Sequence, residues 1–271
     1  MILLLFGVVT KGFSSSIDRV SNTDIATLAK TLGVDPSISL VQETQKRWLR
    51  KKGSERFTIS PLPEKEKETV LAWAKKHHCY YKWLPQKTSY DTIIILGAEV
   101  HTMALRLRFA EKLLLQGIKT NNIVFLTGKR PLRDPEKNFS PSCATEDEAA
   151  RHLWQTHTIS SEIRNLPVRF IALDMKPIGE NWERPNTKDT IKAWKTGQNR
   201  NLNAKASLFI SNQPFCAYQE AVIQSVLGSS PSFEVAGAKL RESHYAAPGG
   251  VILDSLARIL YERSVFPDKE E

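Results

Sequence analysis

Residues 91–99 read Asp-Thr-Ile-Ile-Ile-Leu-Gly-Ala-Glu, an apolar run of strand length that ends in a glycine turn. Leu105, Phe109 and Leu113 then recur at helical spacing as far as Gly117. An apolar run without alternation is typical of a strand that is buried on both faces, as in a parallel sheet. A strand, a glycine turn and a helix in this order commonly open the ligand site of an α/β domain.

The same strand-then-helix pattern continues to the end of the chain. It predicts strands at 92–96, 122–126, 168–173, 206–210 and 233–236, and helices at 103–116, 145–156, 187–196, 214–226 and 250–262. Five such repeats predict an α/β fold with a doubly wound parallel sheet of about five strands, Rossmann-like, in the order 3-2-1-4-5. Long loops are expected after the second and third strands. Ligands of such sheets bind outside the carboxyl ends of the strands, near the switch point between the first and fourth strands.

A small, mostly helical region at 1–85 is predicted to precede the Rossmann-like domain at 86–265. Its helices are expected from a cap at Thr23 or Asp24 to Leu32, around 41–49, and over 64–78. Lysines and arginines at 46–52 are interpreted as a solvated face of the second of these helices. We expect the helical region to pack on the main domain.

Composition and charge narrow the class of protein and its partners. The chain has 271 residues, of which 41% are hydrophobic and 25% charged, and this is typical of a soluble globular protein. A formal net charge of +9 favours acidic partners such as a phosphate-bearing small molecule or an anionic membrane surface. Nucleic acid is disfavoured because its binding would require aromatic side chains interleaved with basic ones on a sheet or in a groove, and no such pattern appears. Three widely spaced cysteines indicate a reducing compartment rather than a disulfide framework.

The first ten residues bear on the cellular compartment of the protein. Residues 2–10 resemble the apolar core of a signal peptide, but no positive residue precedes them and the following Gly-Phe-Ser-Ser-Ser is a poor cleavage site. No apolar run is long enough to cross a bilayer. The sequence therefore predicts a cytoplasmic protein whose first residues form a short buried strand, with export through this signal-like segment as the alternative.

Three predicted strands end in small, polar or cationic residues that should meet at one rim of the sheet. They are Gly97, Ala98 and Glu99; Thr127, Gly128, Lys129 and Arg130; and Ser211, Asn212 and Gln213. A ligand can approach the backbone at Gly97 and Gly128, which lack a Cβ. Lys129 and Arg130 are candidates to pair with an anion near the following helix starts. Ordinary turn chemistry is the alternative interpretation, and no dinucleotide or Walker motif is present.

Further candidates lie at predicted helix starts. Glu146 is a candidate general acid or base, although a carboxylate in the first turn also complements the helix dipole. Asn186 and Thr187 are candidate ligand contacts, with helix capping as the alternative. Cys216 lies in a first turn that would favour a thiolate, but a buried structural cysteine is commoner. No histidines and cysteines have the spacing of a metal site, so we expect none.

Several weak motifs recur in a fixed order between about 91 and 261. They are an aspartate, an apolar strand and a Gly-Ala turn at 91–98; Arg106, Ala110 and Gly117; Thr127-Gly128; Thr145-Glu146; Asn186-Thr187; and Ser211. In this order and spacing the chain resembles the bacterial YdcF/SanA/ElyC-like family. Members of that family commonly place a histidine and an arginine after the fourth strand, and residues 212–217 contain neither.

The resemblance implies a Rossmann-like fold with conserved polar residues at the strand ends. Family members have been linked to envelope polysaccharide handling and to cell-surface barrier functions, and one to binding S-adenosylmethionine. S-adenosylmethionine or a nucleotide is therefore the cofactor or ligand that the resemblance implies. The stretch 1–85 lies outside it.

Three functions are compatible with these observations. The first is hydrolysis or group transfer on a small anionic or nucleotide-like ligand, with Glu146 as the acid or base and Arg106, Lys129 and Arg130 as anion contacts. The second is a non-catalytic sensor of a nucleotide or S-adenosylmethionine, which the missing histidine and arginine favour. The third is a basic interaction scaffold that docks on an anionic partner or membrane surface.

Overall fold

A computed structural model of the chain describes residues 20–35, 39–51, 54–157, 159–179, 181–197, 206–228 and 232–265. The signal-like segment or short strand predicted at 2–10 lies outside the described residues. In the part of the chain that the structure describes, no helix is long and apolar enough to cross a membrane. Cys79, Cys143 and Cys216 are buried free thiols, consistent with the absence of a disulfide framework from the sequence pattern.

The centre of the molecule is a parallel sheet of five strands. The strands of the chain are β1 (Ser89–Leu96), β2 (Lys119–Gly128), β3 (Val168–Leu173), β4 (Lys176–Ile178), β5 (Asn181–Glu183), β6 (Ser207–Asn212) and β7 (Phe233–Ala238). The sheet has the order β3-β2-β1-β6-β7 with every neighbouring pair parallel, which confirms the doubly wound α/β fold. The order differs from the predicted 3-2-1-4-5 only in its labels, because the unpredicted antiparallel hairpin β4-β5 comes between the third and fourth strands of the sheet.

Helices cover both faces of this sheet. They are α1 (Asn22–Thr31), α2 (Leu40–Trp48), α3 (Glu64–Lys76), α4 (Val100–Leu115), α5 (Asp134–Lys137), α6 (Glu146–Thr156), α7 (Ser161–Arg164), α8 (Thr187–Thr196), α9 (Cys216–Leu227) and α10 (Pro248–Val265), with short 3-10 helices at Arg56–Thr58 and Glu242–His244. The predicted strands and longer helices agree with these bounds to within a few residues. The expected loops at 131–144 and after β3 instead contain α5 and the β4-β5 hairpin.

Strand β1 shows why the sequence folds in this way. Ile93 and Ile95 belong to the apolar cluster shared with α4 and α6, whereas Ile94 and Leu96 belong to the cluster shared with α8, α9 and α10. All four side chains are fully buried. Since successive side chains of a strand point to opposite faces, a continuous apolar run is what a strand covered on both faces requires.

The N-terminal helices pack against α10 and join the same core. Buried side chains such as Leu28 and Val70 lie in one cluster with Leu256 of α10 and Leu96 of the sheet. Polar contacts reinforce this packing: the side-chain amide of Gln45 donates to the carbonyl of Ala257 at 2.6 Å.

Two expectations for this helical region need correction. Helix α1 is capped by Ser21, not by Thr23 or Asp24: the Ser21 hydroxyl accepts from the Asp24 N–H at 3.0 Å, and the Asp24 carboxylate accepts from the Ser21 N–H at 3.1 Å. Asp24 therefore supplies the acidic half of a capping box. The basic run is only partly a solvated face, because Arg50 is largely buried and forms an ion pair with Asp254 of α10 at 3.0 Å.

Candidate functional site

A cavity of about 810 Å³ opens over the carboxyl ends of β1 and β2. Nine of the predicted site residues line it: Gly97, Ala98, Glu99, Thr127, Gly128, Arg130, Glu146, Asn186 and Thr187. The other walls come from two parts of the chain that the sequence did not connect with the site: residues 49–51 with 54–56, and the β4-β5 hairpin with its flanks, at 175, 178 and 181–185. The lining is completed by Leu96, Leu126, Pro131, Arg133, Thr190, Tyr218 and Arg258.

The end of β6, predicted to share this rim, is covered and does not line the cavity. The side-chain amide of Gln213 donates to the carbonyls of His78 and Tyr81, at 2.8 and 3.1 Å, so the segment that leads into β1 lies over it. Ser211 and Asn212 are also buried. The switch point between β1 and β6 is thus filled by the protein itself, and the opening is displaced towards β2.

Arg106, expected to contact an anion, is instead a buried structural residue. Its Nη1 donates to the carbonyls of Leu96 and Gly97 at 2.7 and 2.9 Å, and its Nε donates to Asn212 Oδ1 at 2.9 Å. Burial lowers the pKa of the guanidinium to about 10, so it remains charged at neutral pH. Arg106 therefore ties the ends of β1 and β6 together beneath the site.

Lys129 and Arg130, the other predicted anion contacts, are both engaged by carboxylates. Lys129 is half exposed, lies outside the cavity lining and forms an ion pair with Asp174 at 2.9 Å. Arg130 lines the cavity but is buried, donating to Glu146 at 2.6 Å and to both oxygens of Glu136 at 2.8 and 2.9 Å. Arg130 thus positions acidic residues and is not a free cation.

The two strand-end glycines are required by packing within the protein. A Cβ on Gly97 would overlap the Glu146 Oε1 atom and the carbonyl oxygen of Leu126. A Cβ on Gly128 would lie 2.8 Å from the ring of Pro185. The sequence predicted that a ligand approaches the backbone at both glycines; the groups that lie closest to them in the structure are side chains and backbone of this chain.

Glu146 is the most unusual carboxyl group of the cavity. It is 7% exposed, and burial raises its pKa against the opposing effect of Arg130. The Arg130 charge is shared with Glu136, whose pKa is lowered to about 2: burial alone would raise it, but the hydrogen bonds and charge of Arg130 outweigh burial. Because Glu136 takes the bidentate contact, Glu146 retains the tendency of a buried carboxyl to hold its proton.

Glu136 was missed by sequence reasoning. It lies in α5, within a segment expected to be a loop, and also accepts from Arg133 Nε at 3.1 Å. Arg133 in turn forms an ion pair with Glu99 at 2.5 Å, so the network extends to the end of β1. The sequence of this segment is charged and contains prolines, which is typical of a solvated loop. It gave no indication that Glu136 is buried between two arginines.

Asn186 and Thr187 line the cavity at the start of α8. Asn186 caps the helix, because its Oδ1 accepts from the Asp189 N–H at 3.1 Å and its own N–H donates to Asp189 at 2.9 Å. Thr127, at the end of β2, donates to Asp147 at 3.2 Å. The capping interpretation thus accounts for the Asn186 side-chain oxygen.

The remaining cations of the cavity come largely from the N-terminal region. Arg50, Lys51 and Arg56 line it from that side, together with Arg184 beside the hairpin, which forms an ion pair with Glu55 at 3.1 Å. The basic run at 46–52 was the only sequence signal for this wall. This basic run contacts residues more than a hundred positions away only because the N-terminal helices pack on the main domain. A local sequence pattern does not predict such packing.

Cysteine and metal chemistry find no support in the described residues. Cys216 is completely buried, and burial raises the pKa of its thiol, which is the opposite of what a nucleophile needs. No cluster of histidine, cysteine and carboxylate side chains in the described ranges has the geometry of a metal site.

Comparison with protein-family models, with curated proteins and with solved structures gives no match for this chain. The resemblance to the YdcF/SanA/ElyC-like family stays a prediction.

Proposed function

We propose that the cavity over β1 and β2 binds a small phosphate-bearing anion. The observation that carries this proposal is the charge of the lining. Seven cationic side chains line the cavity with four carboxylates: Arg50, Lys51, Arg56, Arg130, Arg133, Arg184 and Arg258 with Glu55, Glu99, Glu146 and Glu183. Glu136 and Asp254, just outside the lining, pair with four of these arginines, so the balance is seven to six and the excess rests on Lys51 and Arg56. An excess of positive charge in a concave, low-dielectric site concentrates anions.

Arg56 is the best placed first contact for the anion. Its guanidinium carbon lies 4.0 Å from the centre of the Phe215 ring, and its Nε is buried without a hydrogen-bond partner among the described residues. In the same described ranges, no carboxylate lies within ion-pair distance of Arg56 or Lys51. An unpaired guanidinium held against an aromatic ring is well suited to a phosphate, which accepts two parallel hydrogen bonds from it.

Glu146 is the candidate catalytic residue of this cavity. A carboxyl with a raised pKa can donate a proton to a leaving oxygen, which is general acid catalysis. Arg130 holds one of its oxygens at 2.6 Å and so fixes the orientation of the group. We therefore favour hydrolysis or group transfer on the bound ligand, with Glu146 as the proton donor.

A non-catalytic sensor is the second candidate function. The observation that favours it is that no histidine occurs among the described residues that line the cavity, so Glu146 would have to act without a conventional base at its side. The two candidates share the ligand and differ only in turnover.

The test is a thermal-shift screen of the full chain against phosphate, pyrophosphate, nucleotides, sugar nucleotides and S-adenosylmethionine, with and without Mg²⁺. A ligand at a hundred times its dissociation constant adds roughly 2.7 kcal/mol to the free energy of unfolding. We expect Arg56→Ala to abolish the shift and Arg108→Ala, an exposed arginine of α4 outside the cavity, to keep it. A screen without any shift would contradict the proposal.

Glu146→Gln then separates the two candidates. An enzyme that uses the carboxyl as an acid should lose turnover of the bound ligand and keep the thermal shift. If the wild-type protein binds the ligand and leaves it chemically unchanged, the sensor is the correct function.

A further inference from the structure

The β4-β5 hairpin presents an apolar wall to the cavity. Trp182 is 66% exposed and Ile178 is 47% exposed, and both line the cavity together with Met175 and Pro185. Single exposed apolar side chains are normal on a protein surface, but several that form one wall of a concave site mark a binding surface.

The hairpin is held in place by ion pairs at both of its ends. Lys176 of β4 contacts Asp189 of α8 at 2.7 Å, and Arg184, directly after β5, contacts Glu55 at 3.1 Å. Trp182 is paired in register with Pro177 across the hairpin. The indole therefore stands on an anchored two-stranded support.

Apolar and cationic groups come from different stretches of chain. Met175, Ile178 and Trp182 belong to the hairpin and its flank, whereas Arg50, Lys51 and Arg56 belong to the N-terminal region. A simple inorganic anion would use only the second set. A cavity of about 810 Å³ also has room for far more than one phosphate group, because small-molecule sites commonly measure roughly 300–1,000 Å³.

We propose that the ligand is a nucleoside phosphate whose base stacks on Trp182 while its phosphates meet Arg50, Lys51 and Arg56. This inference rests on the proposed function, since it assigns the second half of the same ligand. An indole offers a flat face to a heteroaromatic ring, and such base–aromatic stacking tolerates different bases. Trp182 is thus a specificity residue for ligands that carry a base.

The experiment compares dissociation constants of the full chain for ligands with matched phosphates. AMP, ADP and UDP carry a base, ribose 5-phosphate and pyrophosphate do not, and decyl phosphate carries a flexible apolar chain instead. We expect the nucleotides to bind about five-fold to a hundred-fold more tightly than their base-free counterparts, the range expected for one stacked base.

Variants at the hairpin give the decisive comparison. Trp182→Ala should remove the advantage of the nucleotides and leave the affinity for pyrophosphate unchanged, whereas Trp182→Phe should keep most of it. Tyr261→Ala is the matched control, because this tyrosine is 48% exposed on α10 and does not line the cavity.

Two results would overturn the inference while the proposed function stands: equal affinity for nucleotides and base-free phosphates, or a gain for decyl phosphate that depends on Trp182 in the same way. If pyrophosphate, ribose 5-phosphate and the nucleotides all fail to bind, the proposed function itself is wrong, and the assignment of the base falls with it.

Discussion

Gly97 has no room for a side chain, because the Glu146 carboxyl and the Leu126 carbonyl occupy the space of its Cβ. We expect Gly97→Ala to lower the free energy of unfolding by about 1–3 kcal/mol, the usual cost of overpacking a close-packed site. The same change should displace Glu146 and weaken any turnover that depends on it. Chemical denaturation measures the first effect and an activity assay with the ligand found above measures the second.

Gly197→Ala is the control for this prediction. A Cβ on Gly197 would meet its nearest atom, the Ala193 carbonyl oxygen, at 3.4 Å, which is ordinary contact, so the stability should change by less than about 1 kcal/mol. If both variants were equally stable, the space beside Gly97 would not be filled by Glu146 as described.

At the scale of single residues, the sequence predicted positions better than partners. Gly97, Thr127 and Glu146 were assigned to the rim because the end of a parallel strand, or the start of the following helix, reaches it. That Arg106 turns inward could not be predicted, since its contact with Asn212 joins residues 106 positions apart. The contact between Arg130 and Glu136 spans only six positions, but it depends on the short helix α5, which the sequence pattern did not predict. The pattern of strands and helices predicts where the backbone of a residue lies. The partners of its side chain depend on how other elements pack around it.

The short helix α5 acts as a clamp because Glu136 binds both Arg130 and Arg133. The pKa of Glu136 is lowered to about 2, so the charged form is favoured in the folded protein by about 3 kcal/mol. This stability is complete above the unfolded-state pKa near 4.5 and is lost as the pH falls from there towards 2. We expect Glu136→Gln to be destabilised by up to about 3 kcal/mol at pH 7 and by much less near pH 2.

The measurement is the free energy of unfolding of wild type and variant by urea at several pH values. Glu68→Gln, a change at an exposed residue of α3, should give a difference near zero throughout. Other acids with lowered pKa, such as Asp254, contribute equally to wild type and variant, and therefore cancel in the comparison. A difference that is independent of pH would show that Glu136 is not charged in the folded state.

The sequence predicted the long strands and helices, which have a clear apolar period, and did not predict the short ones. The five sheet strands and helices such as α4 carry runs long enough for the period of the apolar residues to be recognised. The hairpin β4-β5 has three residues in each strand, all exposed, so no alternation of buried and exposed positions exists to be read. One wall of the site therefore lies in the part of the chain with the weakest local signal.

The whole molecule unites the helical N-terminal region and the sheet through one apolar core and one cavity. Leu28 of α1 is 2% exposed and belongs to the cluster that contains Leu96 of β1 and Leu256 of α10. The predicted division at residue 85 therefore follows a change in sequence pattern and is not marked by a gap in the packing. If the two parts form one cooperative unit, a destabilising substitution in the N-terminal helices must also lower the stability of the sheet.

We expect Leu28→Ala to lower the free energy of global unfolding by about 2–5 kcal/mol, the cost of a large-to-small change in a core. Far-UV circular dichroism should show a single transition at a lower denaturant midpoint. Amide exchange of β1, read at Ile94, should accelerate by the factor that corresponds to the same free energy. Leu115→Ala, at a leucine that is 63% exposed on α4, should change neither quantity by more than about 0.5 kcal/mol. A variant that loses part of its helical signal in an early transition while the exchange of β1 stays at the wild-type rate would instead show that the N-terminal helices fold as a separate domain, and that the cationic wall of the cavity can detach from the sheet.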